Sequence, residues 1–167
     1  LAALRAIPNL AVFRPADAVE TAECWQLALR RTDGPSALIL TRQGLPTLRT
    51  EHDSDNLCAA GAYEIAPAEG EARASILATG SEVSLAMAAR DMLQAEGIAV
   101  RVVSLPCWEL LSQQPAAQRQ AILGSLPRIA VEAALAMGWA RWGVDEEKMI
   151  AMRGFGASAP AADLFRH

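Results

Sequence analysis

Between Ser75 and Leu111 the hydrophobic period of the chain changes twice. Ser75-Ile76-Leu77-Ala78-Thr79 is a short, mostly apolar run ended by Gly80, the pattern of a buried strand. From Ser81 the spacing becomes helical. Val83, Met87 and Arg90 share one side, while Leu85, Ala86, Ala89, Met92 and Leu93 form an apolar stripe expected to face a core. Ser81 is placed to cap the helix, and Glu82 suits the positive first turn. Gly97 is placed to end it in a left-handed conformation, with Ile98 folding back on Leu93. Ile98 to Leu105 then reads as another strand, stopped by Pro106. Strand, helix and strand in this length predict a right-handed βαβ crossover with parallel strands, hence an α/β fold.

The same reading extends to both sides. Leu1 to Ile7 reads as the end of a helix closed by Pro8-Asn9, and Leu10 to Arg14 as a strand. Asp17 caps a helix running to about Arg31, with Glu20 at capping-box spacing and Val19, Ala22, Trp25, Leu27 and Leu29 on its apolar face. Ser36 to Thr41 is too uniformly apolar for a surface strand, so it is expected to be central and parallel. Thr47 to Asn56 is charged and aperiodic, an exposed linker. Gly61 to Ile65 is a short edge strand. Cys107 to Leu111 is a helical turn, and Pro115 opens a helix to about Leu123. Arg128 to Glu132 is a buried strand and Leu135 to Trp142 a helix ended by Gly143. Met149 to Met152 is the last strand, and Ser158-Ala159-Pro160 opens a helix that runs to His167.

Composition narrows the function classes. Hydrophobic residues make up 52% of 167, so a packed core is expected rather than disorder. Charged residues interrupt every apolar run before it could span a bilayer. A net charge of -4 argues against a general nucleic-acid surface. Cys24, Cys58 and Cys107 lie far apart without a CxxC pair and read as reduced thiols of a cytoplasmic protein. His52 and His167 are the only histidines, which argues against a histidine metal site or a catalytic triad. The start at Leu1 and the stop at His167 read as a piece of a longer protein.

Arg42-Gln43 is the strongest chemical candidate. A guanidinium at the C-terminal end of a parallel strand can clamp a phosphate through paired hydrogen bonds, and an amide can add another. Otherwise Arg42 is a solvated loop arginine. Thr79-Gly80-Ser81-Glu82 leads into a helix N-terminus, but Glu82 would repel an anion, so the turn reads as structural. Gly154-Phe155-Gly156-Ala157-Ser158-Ala159 matches G-x-G-x-x-A, yet it follows the last strand and no acidic residue lies about twenty positions on. It too reads as a turn. Trp108, Trp139 and Trp142 suit a core or a subunit interface. Glu132, at a strand end, is either functional or a hydrogen-bonded structural carboxylate.

The pieces also come in a familiar order. Leu4-Arg5 with Pro8-Asn9, Phe13-Arg14-Pro15-Ala16-Asp17, and Gly34 to Gln43 resemble the end of the pyrimidine-binding domain of transketolase. Ile76 to Val83, Val102 to Glu109, Ile129 to Ala133 and Gly154 to Pro160 resemble the transketolase C-terminal domain. The Thr41-Arg42-Gln43 segment favours transketolase over its synthase and dehydrogenase relatives. The resemblance implies residues 1–49 as the tail of one domain, 50–60 as a linker, and 61–167 as a three-layer α/β/α domain with a mostly parallel sheet. It implies a homodimeric parent in the pentose phosphate pathway that uses thiamine diphosphate and Mg²⁺ or Ca²⁺ to move a two-carbon ketol unit between sugar phosphates. Arg42 would grip the substrate phosphate. No catalytic, cofactor or metal residue is expected within the chain, and the chain alone is expected to be inactive. A non-catalytic dimerisation or assembly module is the alternative. Leu10 to Arg14 and Leu38 to Thr41, parted from their neighbours, are expected to expose apolar surface. Gly44 and Ala134 depart from the usual Asn after Arg-Gln and Gly after Val-Glu-Ala. These changes bear on the loop that aims Arg42 and on the turn after Glu132.

Overall fold

The computed structural model describes residues 1–51 and 53–164. A short helix α1 (Ala2–Arg5) is followed by β1 (Ala11–Phe13), α2 (Ala18–Arg30) and β2 (Ser36–Leu38). A 3₁₀ turn at Leu57–Ala60 leads into β3 (Tyr63–Ala66). Then β4 (Ala74–Ala78), α3 (Glu82–Ala95) and β5 (Val100–Ser104) form the expected βαβ unit. The chain continues through α4 (Trp108–Gln113), α5 (Ala116–Leu123), β6 (Arg128–Glu132), β7 (Met149–Ala151) and α6 (Ala161–Leu164).

The main sheet has five strands in the order β3-β5-β4-β6-β7. Every pairing in it is parallel except β3 with β5. Strand alternation makes the three layers. Leu77, Val103 and Ala130 face a cluster with Trp108, Leu111, Leu123, Trp139 and Trp142. Ile76, Ala78, Val102 and Val131 point the other way, onto Val83 and Ala86 of α3. Trp108 meets Trp139 edge to face at 4.9 Å and Trp142 at 6.0 Å, so the tryptophans are core. Truncating one of the two fully buried rings would cost roughly 3–5 kcal/mol.

Several elements differ from the sequence reading, each for a local reason. On α3 the packed face carries Val83, Ala86 and Arg90, while Leu85 and Met92 are 44% and 70% exposed. Arg90 is buried because its guanidinium donates to the Pro67 carbonyl. Ser81 does not cap the helix, since its own backbone is already helical and its hydroxyl donates to Glu82 instead. Gly80, at φ +58°, makes the turn, and a Cβ there would lie 2.7 Å from Cγ of Arg14. Gly97 ends α3 as expected, with the Ile98 N–H donating to the Leu93 carbonyl at 2.9 Å. The expected helix from Leu135 shrinks to a 3₁₀ turn at Trp139–Trp142, because Gly138 reverses the chain at φ +96° against Trp108.

The first segment is corrected more heavily. β2 is three residues long, half-buried, and paired only with β1, so it is parallel but not central. On α2 the buried residues are Glu20 and Cys24, whereas Trp25 and Leu29 are 48% and 76% exposed. Asp17 caps α2 by accepting from the Glu20 N–H at 2.8 Å, but the Glu20 carboxylate takes the Ala16 N–H rather than closing a capping box on Asp17. β1 does not expose apolar surface: Ala11, Val12 and Phe13 are buried. Phe13 bridges to Cys107, and the Val12 N–H donates to Glu109 of α4. Leu40, by contrast, is exposed as expected. The start of the linker is tied down, since the Leu48 N–H donates to Asp17 and Arg49 pairs with Glu23 at 2.7 Å. The last part of the expected final helix, with His52 and His167, lies outside the described residues.

Cys24, Cys58 and Cys107 converge in one buried cluster as free thiols. A hydrogen bond with Cys24, then burial, pushes the Cys58 thiol up, and burial does the same to Cys107. Thiolate is the reactive form. An aromatic disulfide reagent is therefore expected to leave the folded chain unlabelled and to titrate all three cysteines after denaturation; rapid labelling of the folded chain would contradict this packing.

Candidate functional site

The sequence places Arg42 at the C-terminal end of a strand running to Thr41, but β2 stops at Leu38, so Arg42 lies on the loop beyond it. The Ile39 N–H still donates to the Phe13 carbonyl at 2.8 Å, and the chain then turns outward, with the Gln43 N–H donating to Oγ1 of Thr41. Arg42 and Gln43 are both exposed. They line an open cavity of about 590 Å³ whose other walls are Thr41, Ala157, Ser158, Ala159 and Leu164. The glycine-rich stretch after β7 therefore faces the best chemical candidate, a meeting the sequence did not show. An exposed guanidinium, an amide and a serine hydroxyl around one open space can receive an oxyanion. At Gly44 a Cβ would stand in open space. Ala134 fits its tight turn: its N–H donates to the Glu132 carbonyl at 2.8 Å, and its φ is not positive.

A second polar cluster lies between the first segment and the main sheet. Strands β4 and β6 are neighbours, and their C-terminal ends place Thr79 beside Glu132. The Glu132 carboxylate accepts both terminal nitrogens of Arg5, at 2.9 and 2.8 Å. It also accepts the Thr79 hydroxyl at 2.5 Å and the Trp139 indole N–H at 2.9 Å. The Arg14 guanidinium donates to the Thr79 carbonyl and hydroxyl at 2.6 and 2.7 Å and pairs with Glu82 at 2.5 Å. Glu82 in turn accepts the Ala133 N–H. Two arginines and two glutamates thus share one dry seam with their charges balanced. Breaking such a buried pair from one side costs about 3–5 kcal/mol. The sequence singles out Glu132 and the Thr79–Glu82 turn separately but does not join them; the available signal was the pair of arginines on the first segment, Arg5 and Arg14, each flanked by apolar residues.

A third carboxylate is buried with no arginine among its described hydrogen-bond partners. Glu20 accepts from the Tyr63 and Ser104 hydroxyls at 2.8 and 2.6 Å and from the Ala16 N–H at 2.7 Å. Burial dominates these donors and holds its pKa above the ordinary 4.5. Glu132 is buried as well, but Arg5, Thr79 and Trp139 together outweigh desolvation and hold it below 4.5. Among the described residues, no three His, Cys, Asp or Glu side chains converge as metal ligands. None of the described helices is long and apolar enough to cross a membrane.

The chain is similar to known proteins in sequence and in fold. Residues 61–167 match the family described as the transketolase-like TK C-terminal domain, and residues 1–47 match the transketolase pyrimidine binding domain. A transketolase of Cereibacter sphaeroides is 55% identical over 167 residues, all of this chain and 25% of that protein. The transketolase structure from Leishmania mexicana superposes with a TM-score of 0.87 at 42% identity, covering 99% of this chain and 24% of that one. A Pichia stipitis transketolase solved with sedoheptulose 7-phosphate gives 0.88 at 36% identity, with the same coverage of 99% and 24%. The chain belongs to the transketolase family. It spans about a quarter of the length of these relatives.

The two buried glutamates make opposite contributions with pH. Glu132 has a depressed folded pKa, so its stabilisation is present above its unfolded value of 4.5 and is lost as pH falls below it. Glu20 has a raised one, so its stabilisation is full below 4.5 and is lost as pH rises toward the folded value. Glu132→Gln is expected to cost more stability near pH ~7 than near pH ~4, and Glu20→Gln less near pH ~7 than near pH ~4. Denaturant melts of both variants across that range check the signs; parallel profiles would refute the assignment.

Proposed function

We propose that this chain is the C-terminal part of a transketolase that uses thiamine diphosphate and Mg²⁺ or Ca²⁺ to transfer a two-carbon ketol unit between sugar phosphates. The observation that carries the reading is the family match over both of its segments, together with Arg42 exposed on the loop that follows β2. Thiamine diphosphate supplies the carbanion chemistry when bound. No step of the reaction is assigned to the residues of this chain. Their part is positioning. Arg42 holds the phosphate of the sugar by paired, charge-assisted hydrogen bonds, with Gln43 beside it. Residues 1–49 belong to one domain, 50–60 link, and 61–167 form the next.

A second reading, an assembly module, is favoured by one observation: the exposed side chains of Leu135, Met137 and Met152 line one open cavity. A face of this kind suits a protein contact. The two readings are compatible, because the parent can be a homodimeric cytoplasmic enzyme while this part buttresses it.

Arg42→Ala, made in the longer protein, is expected to raise KM for phosphorylated sugars and to leave an unphosphorylated donor nearly unaffected. The loss of a charge-assisted bond should amount to roughly 1.5–3 kcal/mol in kcat/KM. Equal losses with both substrate kinds would remove the phosphate role. The 167-residue chain alone is expected to show no saturable heat with thiamine diphosphate and Mg²⁺, and to scatter light as a species larger than one chain. Stoichiometric cofactor binding, or a strictly monomeric chain, would count against the corresponding half of the reading.

A further inference from the structure

In open α/β sheets the ligand position is the crevice beyond the C-terminal ends of the strands, where the direction of winding reverses. In this sheet the chain runs from β4 outward to β5 and then crosses to β6 on the other side of β4. The crevice therefore lies between Thr79 and Glu132. It is filled from within the chain. We propose that this crevice is a guanidinium receptor, occupied in cis by Arg5 and Arg14 of the first segment.

The geometry suits that group and few others. The Glu132 carboxylate meets both terminal nitrogens of Arg5 as a fork, at 2.9 and 2.8 Å. The same guanidinium lies over the Trp108 ring, with its carbon 3.6 Å from the ring centroid. A planar cation held at its edge by a carboxylate and set over an indole is read by shape as well as by charge, which an ammonium would not satisfy. Thr79 and the Trp139 N–H fix the Glu132 carboxylate in that orientation. Arg14 enters beside it, against Thr79 and Glu82. The side chains of Glu132, Glu82 and both arginines are 0%, 2%, 6% and 11% exposed in turn, so water does not compete for the contacts. The receptor half belongs wholly to residues 61–167, and the guest half wholly to residues 1–47. Arg14 directly follows β1, which carries β2, so the receptor also sets where the stretch leading to Arg42 begins. In this role Arg14 and Arg5 are positioning residues.

The test is chemical rescue in the 167-residue chain. Arg5→Ala empties the fork and changes only the last residue of a four-residue helix. Methylguanidinium at about 10 mM is expected to raise the melting midpoint of Arg5→Ala by about 2–4 °C relative to its effect on wild type. Methylammonium should do nothing comparable, and adding Glu132→Gln should abolish the gain. A saturable shift of the Trp139 indole N–H resonance in the variant, absent from wild type, would report occupancy of the site. Equal responses of wild type and variant, or equal responses to the two cations, would overturn the proposal. Should Arg5→Ala not fold, Arg5→Lys keeps the charge without the fork. Its midpoint should fall below wild type when Glu132 is present and should match its parent when Glu132 is Gln. The same cost in both backgrounds would likewise overturn it. None of these readouts involves phosphate, so failure here is separable from failure of the Arg42 reading.

Discussion

The carboxylate of Glu132 is the constraint on which the rest of the molecule rests. It is fully buried, and it is tolerable only because four donors from three parts of the chain surround it: the two terminal nitrogens of Arg5, the Thr79 hydroxyl and the Trp139 indole. Each donor brings its element along. Arg5 brings α1, Thr79 the end of β4, and Trp139 the 3₁₀ turn that closes the tryptophan cluster. A buried charge of this kind adds little net stability over an apolar substitute, but it penalises any arrangement that leaves it unpaired. It therefore selects one way of seating the first segment on the sheet.

Glu20 works in the opposite regime. Hydroxyl and amide donors surround it, with no guanidinium among its hydrogen-bond partners, and burial prevails. Its partners Tyr63 and Ser104 lie on the paired strands β3 and β5, while Glu20 itself belongs to α2. The two carboxylates thus fasten the same pair of segments at two points by different physics, one ionic and one by neutral hydrogen bonding. The thiol cluster of Cys24, Cys58 and Cys107 fills apolar space near the second point.

Much of the fold was legible because parallel strands and their crossover helix carry strong periodic signals. The βαβ unit from Ser75 to Leu105, the edge strand β3, and β6 all appear where the apolar runs lie. What misled was the assumption that the more apolar side of a helix is the packed side. On α3 the buried side includes Arg90, and on α2 it includes Glu20, because a polar group with enough partners can take an interior place from Leu85, Met92 or Leu29. The expected helix after Leu135 failed at a single glycine, whose reversed backbone outranks the spacing of Trp139 and Trp142. At the candidate site, Arg42 was readable from its place after an apolar run. Its neighbourhood was not, since Ser158 reaches it from more than a hundred residues away.

That separation matters most for Arg5 and Glu132, which are 127 positions apart. Closing so long a loop carries a large entropic cost, and contacts of this range are late to form. During synthesis the first segment emerges while its seat on β6 is still to be made, an interval of roughly 6–25 s at ordinary elongation rates. Through that interval Arg5, Arg14 and the apolar residues of β1 have no partner on the main sheet. The interval is a window for chaperones, set by the order in which the chain is written.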